Sequence, residues 1–227
     1  MKSNIKFLIL WTFILWTSCA PQIESPPVTK PDPRILAIGN SITWHPPSAE
    51  IGWSGNWGMA ASSADKDYFS LLENLIRSKK PEAVFMRENV FPFERGFESF
   101  DFTFYNHLKD FEPDILIIRF GENIDSETIE GNMLANSIKD FVDFLADGRE
   151  MQILVTTTFW PNEIVNQQLI LSAETNNWEL VRLSDLGSLE ENMAIGLFSN
   201  EAVARHPGDL GMERIAVRIF NVLKKLF

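Results

Sequence analysis

Residues 34–43, Arg-Ile-Leu-Ala-Ile-Gly-Asn-Ser-Ile-Thr, join a short apolar run to a Gly39-Asn40-Ser41 turn. An apolar run of this length reads as a strand buried on both faces of a parallel sheet, and the turn as the start of a strand-to-helix connection. Such a turn sits at the carboxyl edge of the sheet. Open α/β folds place their ligand crevice there, beside helix N-termini whose N–H groups are free. Taken alone, the same residues could equally be a strand closed by an Asn-Ser cap.

The chain repeats the pattern. Residues 114–120 (Asp-Ile-Leu-Ile-Ile-Arg-Phe) are the clearest buried strand and run into Gly121-Glu122-Asn123. Further strands are expected within residues 82–87, 152–158 and 179–183. Helices are expected at 60–79, with Tyr68, Leu71, Leu72, Leu75 and Ile76 on one face, and at 97–111, an aromatic-rich stretch. Others fall at 132–147, ended by Gly148, at 163–175, and at 209–226, where Ile215, Ile219, Val222, Leu223 and Leu226 keep helical spacing. Strands alternating with helices argue for an α/β domain whose parallel sheet is covered on both faces. Residues 44–58, dense in Gly, Pro and Trp, form a long loop, and such loops in compact domains tend to be functional.

Ahead of the domain, Lys2 and Lys6 precede an apolar run at 7–16 that is short for a membrane span and reads as an export signal. Residues 19–33 hold five prolines among polar residues and read as a tether, so the folded domain is expected at 34–227. The formal charge of −11 becomes −13 once a leader at 1–18, with its two lysines, is removed. No basic stripe remains, so nucleic acid is not an expected partner. Cys19 is the only cysteine, which excludes an internal disulfide. No His/Cys/carboxylate cluster has metal-ligand spacing, and neither a metal nor another cofactor is expected.

Four polar features fall after expected strands or in the first loop. Gly39-Asn40-Ser41-Ile42-Thr43 resembles the first block of the GDSL-type, or SGNH, esterases and lipases, with Asn40 in place of the more common Asp. Asn56-Trp57-Gly58 resembles the second block, Gly121-Glu122-Asn123 the third, and His206-Pro207 followed by Asp209-Leu210-Gly211 the last. The blocks run in order from residue 39 to about 216. The resemblance implies an SGNH hydrolase fold: a flavodoxin-like three-layer α/β/α sandwich with a five-stranded, mostly parallel sheet. It also implies a serine hydrolase in which Ser41 is the nucleophile and His206 the base. Its oxyanion hole would comprise the Ser41 N–H, the Gly58 N–H and the Asn123 side chain. The chemistry asks for the same parts, because a serine hydroxyl needs a base within hydrogen-bond reach and the tetrahedral oxyanion needs convergent donors.

One family feature is missing. The acid that orients the histidine usually lies three residues before it, and Val203 stands there. A backbone carbonyl, a more distant carboxylate, a bare Ser–His dyad or an inactive site are the alternatives. His45 is too close to the Pro46-Pro47 pair to sit in helix geometry and is expected in the pocket wall. Trp44, Trp53, Trp57 and Trp160 have two compatible readings: a hydrophobic cluster that folds the loop down, or an aromatic platform for a sugar or acyl group. We take His45, Trp44, Trp57 and Trp160 as substrate-binding candidates.

The function expected is carboxylic ester hydrolysis, with removal of O-acetyl groups from carbohydrates as the leading version. Lipase, lysophospholipase or thioesterase activity is the alternative within the class, and a carbohydrate-binding lipoprotein that has lost turnover is the alternative outside it. Thr17-Ser18-Cys19 resembles a bacterial lipobox, with Trp16 in place of the usual aliphatic residue. That implies export and membrane attachment through lipidated Cys19, on the periplasmic face or the cell surface. An ordinary signal peptide is the other reading.

Overall fold

The computed structural model describes residues 32–227. The leader, Cys19 and residues 19–31 of the tether lie outside the described residues. No helix among the described residues is long and apolar enough to cross a membrane.

Five strands, β1 (Arg34–Gly39), β2 (Val84–Asn89), β3 (Ile115–Arg119), β4 (Gln152–Thr156) and β5 (Glu179–Val181), form one sheet in the order β2-β1-β3-β4-β5. Every pairing is parallel. Among the described residues seven α-helices accompany them: α1 (Tyr68–Arg77), α2 (Phe91–Gly96), α3 (Asn106–Asp110), α4 (Met133–Ala146), α5 (Glu163–Asn176), α6 (Glu201–Ala204) and α7 (Asp209–Leu223).

Alternation along the strands divides the core into two layers. Leu36, Ile38, Leu116 and Ile118 pack with Phe93 of α2, Leu134, Ile138 and Phe141 of α4, and Val165 and Leu169 of α5. Ile35, Ala37, Ile115 and Ile117 pack instead with Tyr68 and Leu72 of α1 and with Ile215 and Ile219 of α7. Both faces are dry, which is why β1 and β3 read as unbroken apolar runs. The result is a three-layer α/β/α sandwich, its sheet wholly parallel where a mostly parallel one was expected. β2 is an edge strand and only partly buried, so it tolerates the polar Arg87-Glu88-Asn89 at its end.

Several element bounds differ from the sequence reading. α1 begins at Tyr68, not at residue 60. Ala60 has a left-handed φ of 73°, which stops a helix, and Asp67 caps the true start by accepting the Ser70 N–H at 2.7 Å. The stretch 97–111 is not one helix but two 3-10 turns followed by α3. Most of its aromatics are held by ring packing: Phe100 stacks on Tyr105, and Phe102 and Tyr105 both stack on Phe141, while Phe104 stays exposed. Asp101 accepts the Thr103 N–H and starts a new turn. α2 and α6, which the sequence reading left unassigned, are each under two turns long, too short to show a period. Both carry groups that matter below.

The strand order reverses between β1 and β3, which opens a crevice at their carboxyl ends. The turns after β1, β2 and β3 all meet there.

Candidate active site

Ser41 sits just beyond β1, in a turn closed by Thr43 N–H and Trp44 N–H, both donated to the Asn40 carbonyl at 2.8 and 3.0 Å. The Ser41 carbonyl accepts the Met59 N–H at 2.8 Å, which ties the turn to the Trp-rich loop. Its own N–H has no acceptor among the described residues. The side-chain Oγ lies 2.9 Å from His206 Nε2, although 165 residues separate the two in sequence.

His206 lies between α6 and α7. Its N–H donates to Val203 and its carbonyl accepts from Ala194, each at 3.0 Å, so the backbone is pinned on both sides. The ring meets Trp160 edge-on, with centroids 5.3 Å apart and planes at 86°. Nδ1–H donates to the Ala202 carbonyl at 2.8 Å. A carbonyl can only accept, so Nδ1 carries the proton and Nε2 presents its lone pair to Ser41. A backbone carbonyl thus orients the ring, and Val203 is a buried apolar residue. Protein crowding around the ring lowers the His206 pKa to about 4; the Ala202 carbonyl and the Glu122 charge pull it up, and Arg119 and His45 pull it down.

Behind Ser41 lies a buried polar network. Arg119, at the end of β3, is 1% exposed and pairs with Glu122 at 2.6 Å. Glu122 also accepts from Asn40 Nδ2 and from the Phe159 N–H, each at 2.6 Å. Arg119 Nη1 reaches the Asn40 Oδ1 at 3.0 Å, and the Ile42 N–H donates to the same oxygen at 3.2 Å. Glu94 of α2 is likewise 1% exposed and takes N–H groups from Asn40, Gly121 and Asn123. Burial and the neighbouring Glu122 charge push the Glu94 pKa up. Asn40 therefore faces two carboxylates with its amide nitrogen and a guanidinium with its oxygen. An Asp here, the residue more common in the family the motif resembles, would set a third carboxylate against the other two.

Ser41 and His206 open into a cavity of about 500 Å³, whose walls include Trp44, His45, Glu122, Asn123 and Trp160. Its volume is in the range of small-molecule sites. Asn123 follows β3 through Gly121, whose φ of +132° and whose contact with Thr158 leave no room for a side chain. One Asn123 amide hydrogen is held by Glu94 Oε2 at 2.7 Å and the other remains available.

Two sequence-derived candidates lie elsewhere. Gly58 is not an oxyanion donor in this arrangement. Its N–H is buried and donates to Asp67 Oδ2 at 3.0 Å, and it does not line the cavity. A Cβ on Gly58 would come within 2.5 Å of the Ile42 carbonyl, so glycine serves close backbone packing there. Trp57 is also outside the cavity walls. It packs edge-to-face on Trp53 at 5.6 Å and donates its Nε1–H to the Ala61 carbonyl. Together with Trp53 it folds the loop down, while Trp44 and Trp160 face the cavity. The sequence reading missed Glu94, gave Arg119 and Glu122 no role, and left an unspecified backbone carbonyl as one alternative among four.

No protein-family model matches the sequence, and no curated protein matches it. Solved structures do. A psychrotrophic esterase from a Pseudoalteromonas species superposes with a TM-score of 0.59 at 14% identity, over 86% of this chain and 98% of that one. An acetylxylan esterase from Geobacillus stearothermophilus gives 0.55 at 14% identity, over 83% and 93%. A member of the lipolytic G-D-S-L family from Veillonella parvula gives 0.51 at 12%, over 85% and 98%. At such identities the likeness establishes the fold: this is the fold of the SGNH hydrolases.

The network makes Asn40→Asp a sharp test of the site's electrostatics. The added carboxyl would have a folded-state pKa above its unfolded value, so its penalty grows as pH rises past the unfolded pKa. Urea titration is expected to show a loss of about 3 kcal/mol at neutral pH, shrinking toward pH ~4. A variant as stable as wild type at neutral pH would contradict the network as described.

Proposed function

We propose that this protein is a serine-dependent carboxylic ester hydrolase that removes O-acetyl groups from carbohydrates. The observation that carries the reading is the 2.9 Å contact between Ser41 Oγ and His206 Nε2, with the tautomer fixed by the Ala202 carbonyl. It is the arrangement general-base activation of a serine requires.

The reaction follows from these groups. Ser41 Oγ attacks the ester carbonyl as its proton passes to His206 Nε2, giving a tetrahedral oxyanion. The Ser41 N–H and the second Asn123 amide hydrogen are the donors available to that oxyanion. His206 then returns the proton to the departing alkoxide and leaves an acyl-Ser41. Water, deprotonated by His206, attacks the acyl group, and the imidazolium passes that proton to Ser41 Oγ as the intermediate collapses, which restores the serine hydroxyl and the neutral ring and releases the carboxylic acid. In serine proteases, losing the carboxylate partner is damaging largely because the imidazole adopts the wrong tautomer. Here the carbonyl keeps the right one. What is given up is charge stabilisation of the imidazolium.

The carbohydrate version is supported by Trp44, Trp160 and His45 at the cavity wall, which offer aromatic faces and a polar ring to a saccharide, and by a structural neighbour described as an acetylxylan esterase. A second reading, hydrolysis of longer acyl esters, is favoured by the apolar stretch of wall formed by Ile51, Met59, Phe91 and Pro92. We also propose export and membrane attachment through lipidated Cys19, on the strength of Lys2, Lys6, the apolar run and Thr17-Ser18-Cys19. Fatty-acid labelling in a bacterial host should tag the wild type and miss Cys19→Ser; equal labelling would remove the anchor from the proposal.

Hydrolysis of 4-nitrophenyl acetate, butyrate and octanoate distinguishes the two substrate readings. We expect acetate to be preferred, and Ser41→Ala to fall to the uncatalysed rate. A preference for octanoate would transfer the assignment to longer acyl esters. Because kcat/KM reports the free enzyme's base, its acid limb should fall with an inflection near pH 4. An inflection near the ordinary histidine value of about 6.5 would show that the ring is not crowded as described.

A further inference from the structure

Glu94 is not among the cavity walls, yet four N–H contacts converge on it. Oε1 accepts from Gly121 N at 2.7 Å, Asn40 Nδ2 at 3.2 Å and Asn123 N at 3.3 Å, and Oε2 accepts from Asn123 Nδ2 at 2.7 Å. One side chain on the helix after β2 therefore ties down the residue before the nucleophile and both nitrogens of the oxyanion residue. The exits of β1 and β3 meet on a single carboxylate carried by the helix after β2.

The chemistry of the group explains why it is a carboxylate. An Asn side chain on a loop turns about two torsions, and its amide can present either end to the cavity. An acceptor on both the backbone N–H and Nδ2 of Asn123 removes that freedom. It also dictates which end faces which way, because Glu94 can receive only the nitrogen. One amide hydrogen is then used, and the planar NH2 group points its other hydrogen away from Glu94. A glutamine has a single oxygen. Whichever way it turned, its own NH2 would meet either Asn123 Nδ2 or the Gly121 N–H donor to donor. The carboxylate carries a cost, since its charge opposes a developing oxyanion and the nearby Arg119 guanidinium is already paired with Glu122.

We propose that Glu94 is a positioning residue that holds the Asn123 amide in register with the Ser41 turn, so that its free hydrogen meets the oxyanion. The proposal rests on the ester-hydrolase reading for its consequence, though the Glu94–Asn123 contact stands without it.

The test is a double-mutant cycle on 4-nitrophenyl acetate with Glu94→Gln, Asn123→Ala and the pair combined. Glu94→Gln should lower kcat by roughly 10²-fold, the scale of one lost oxyanion donor, while KM stays within about twofold. If Glu94 acts through Asn123, the combined variant is no slower than Asn123→Ala. A loss equal to the product of the two single losses would overturn the proposal, as would a Glu94→Gln variant with unchanged kcat. A second readout needs neither turnover nor a variant that folds. In wild-type protein the Asn123 side-chain nitrogen should show a trans-hydrogen-bond NMR coupling to the Glu94 carboxyl carbon, and its absence would equally overturn the assignment. A protein silent on every ester but showing this coupling would sink the hydrolase reading and leave the contact established.

Discussion

The site depends on one buried ion pair, Arg119 with Glu122, 1% and 5% exposed and 2.6 Å apart. Taking two charges out of water costs several kcal/mol each, and their attraction offsets this only when the remaining lone pairs and protons are also used. Glu122 uses its remaining capacity on Asn40 and on the Phe159 N–H, and Arg119 reaches back to the Asn40 oxygen. The pair thus fastens the exits of β1, β3 and β4 to one another. The arrangement contributes fixed geometry more than stability.

From that placement the chemistry follows in two directions. Toward Ser41, Asn40 is held by charge on both ends of its amide, which fixes the turn that carries the proposed nucleophile. Toward the proposed oxyanion site, Glu94 and Gly121 set Asn123. His206 comes from the other side of the crevice on a separate segment, and among the described residues its ring makes no hydrogen bond to Arg119 or Glu122. Glu122 raises its pKa and Arg119 lowers it, so the pair's two effects oppose each other. The ring is left to a carbonyl for orientation and to its crowded surroundings for its acidity. In the proposed reaction it would be a weak base, but one that is neutral at neutral pH.

Much of this was legible in the sequence, for reasons that also explain the rest. β1 and β3 were readable because a strand buried on both faces must be an unbroken apolar run, and Ser41 and Asn123 because polar residues directly after such runs stand at the carboxyl edge. Gly58 was not, since a glycine that lets backbone approach a substrate and one that lets it approach the Ile42 carbonyl look identical in sequence. Nor was the difference between Trp44 and Trp57, which is set by the cross-loop bridge between His45 and Trp57. Arg119 was in plain view, a charge inside an apolar run, and such a residue needs a buried partner. Glu94 gave no such signal: it lies 54 residues from Asn40 in a helix too short to show a period. The Ala202 carbonyl belongs to the backbone, so no side-chain identity could reveal it, and only Val203 at the acid position hinted that something else held His206.

The central claim is that Ser41 is a nucleophile activated by a neutral, carbonyl-anchored His206. Intact-protein mass spectrometry after exposure to an ethyl fluorophosphonate tests it most directly, because phosphonylation needs the activated serine and no knowledge of the substrate. The account predicts one adduct per chain, on Ser41, absent in Ser41→Ala and strongly slowed in His206→Ala. It also predicts that labelling persists at about pH 5, where an imidazole of ordinary pKa would be protonated. No adduct, or an adduct undiminished by Ser41→Ala, would contradict it.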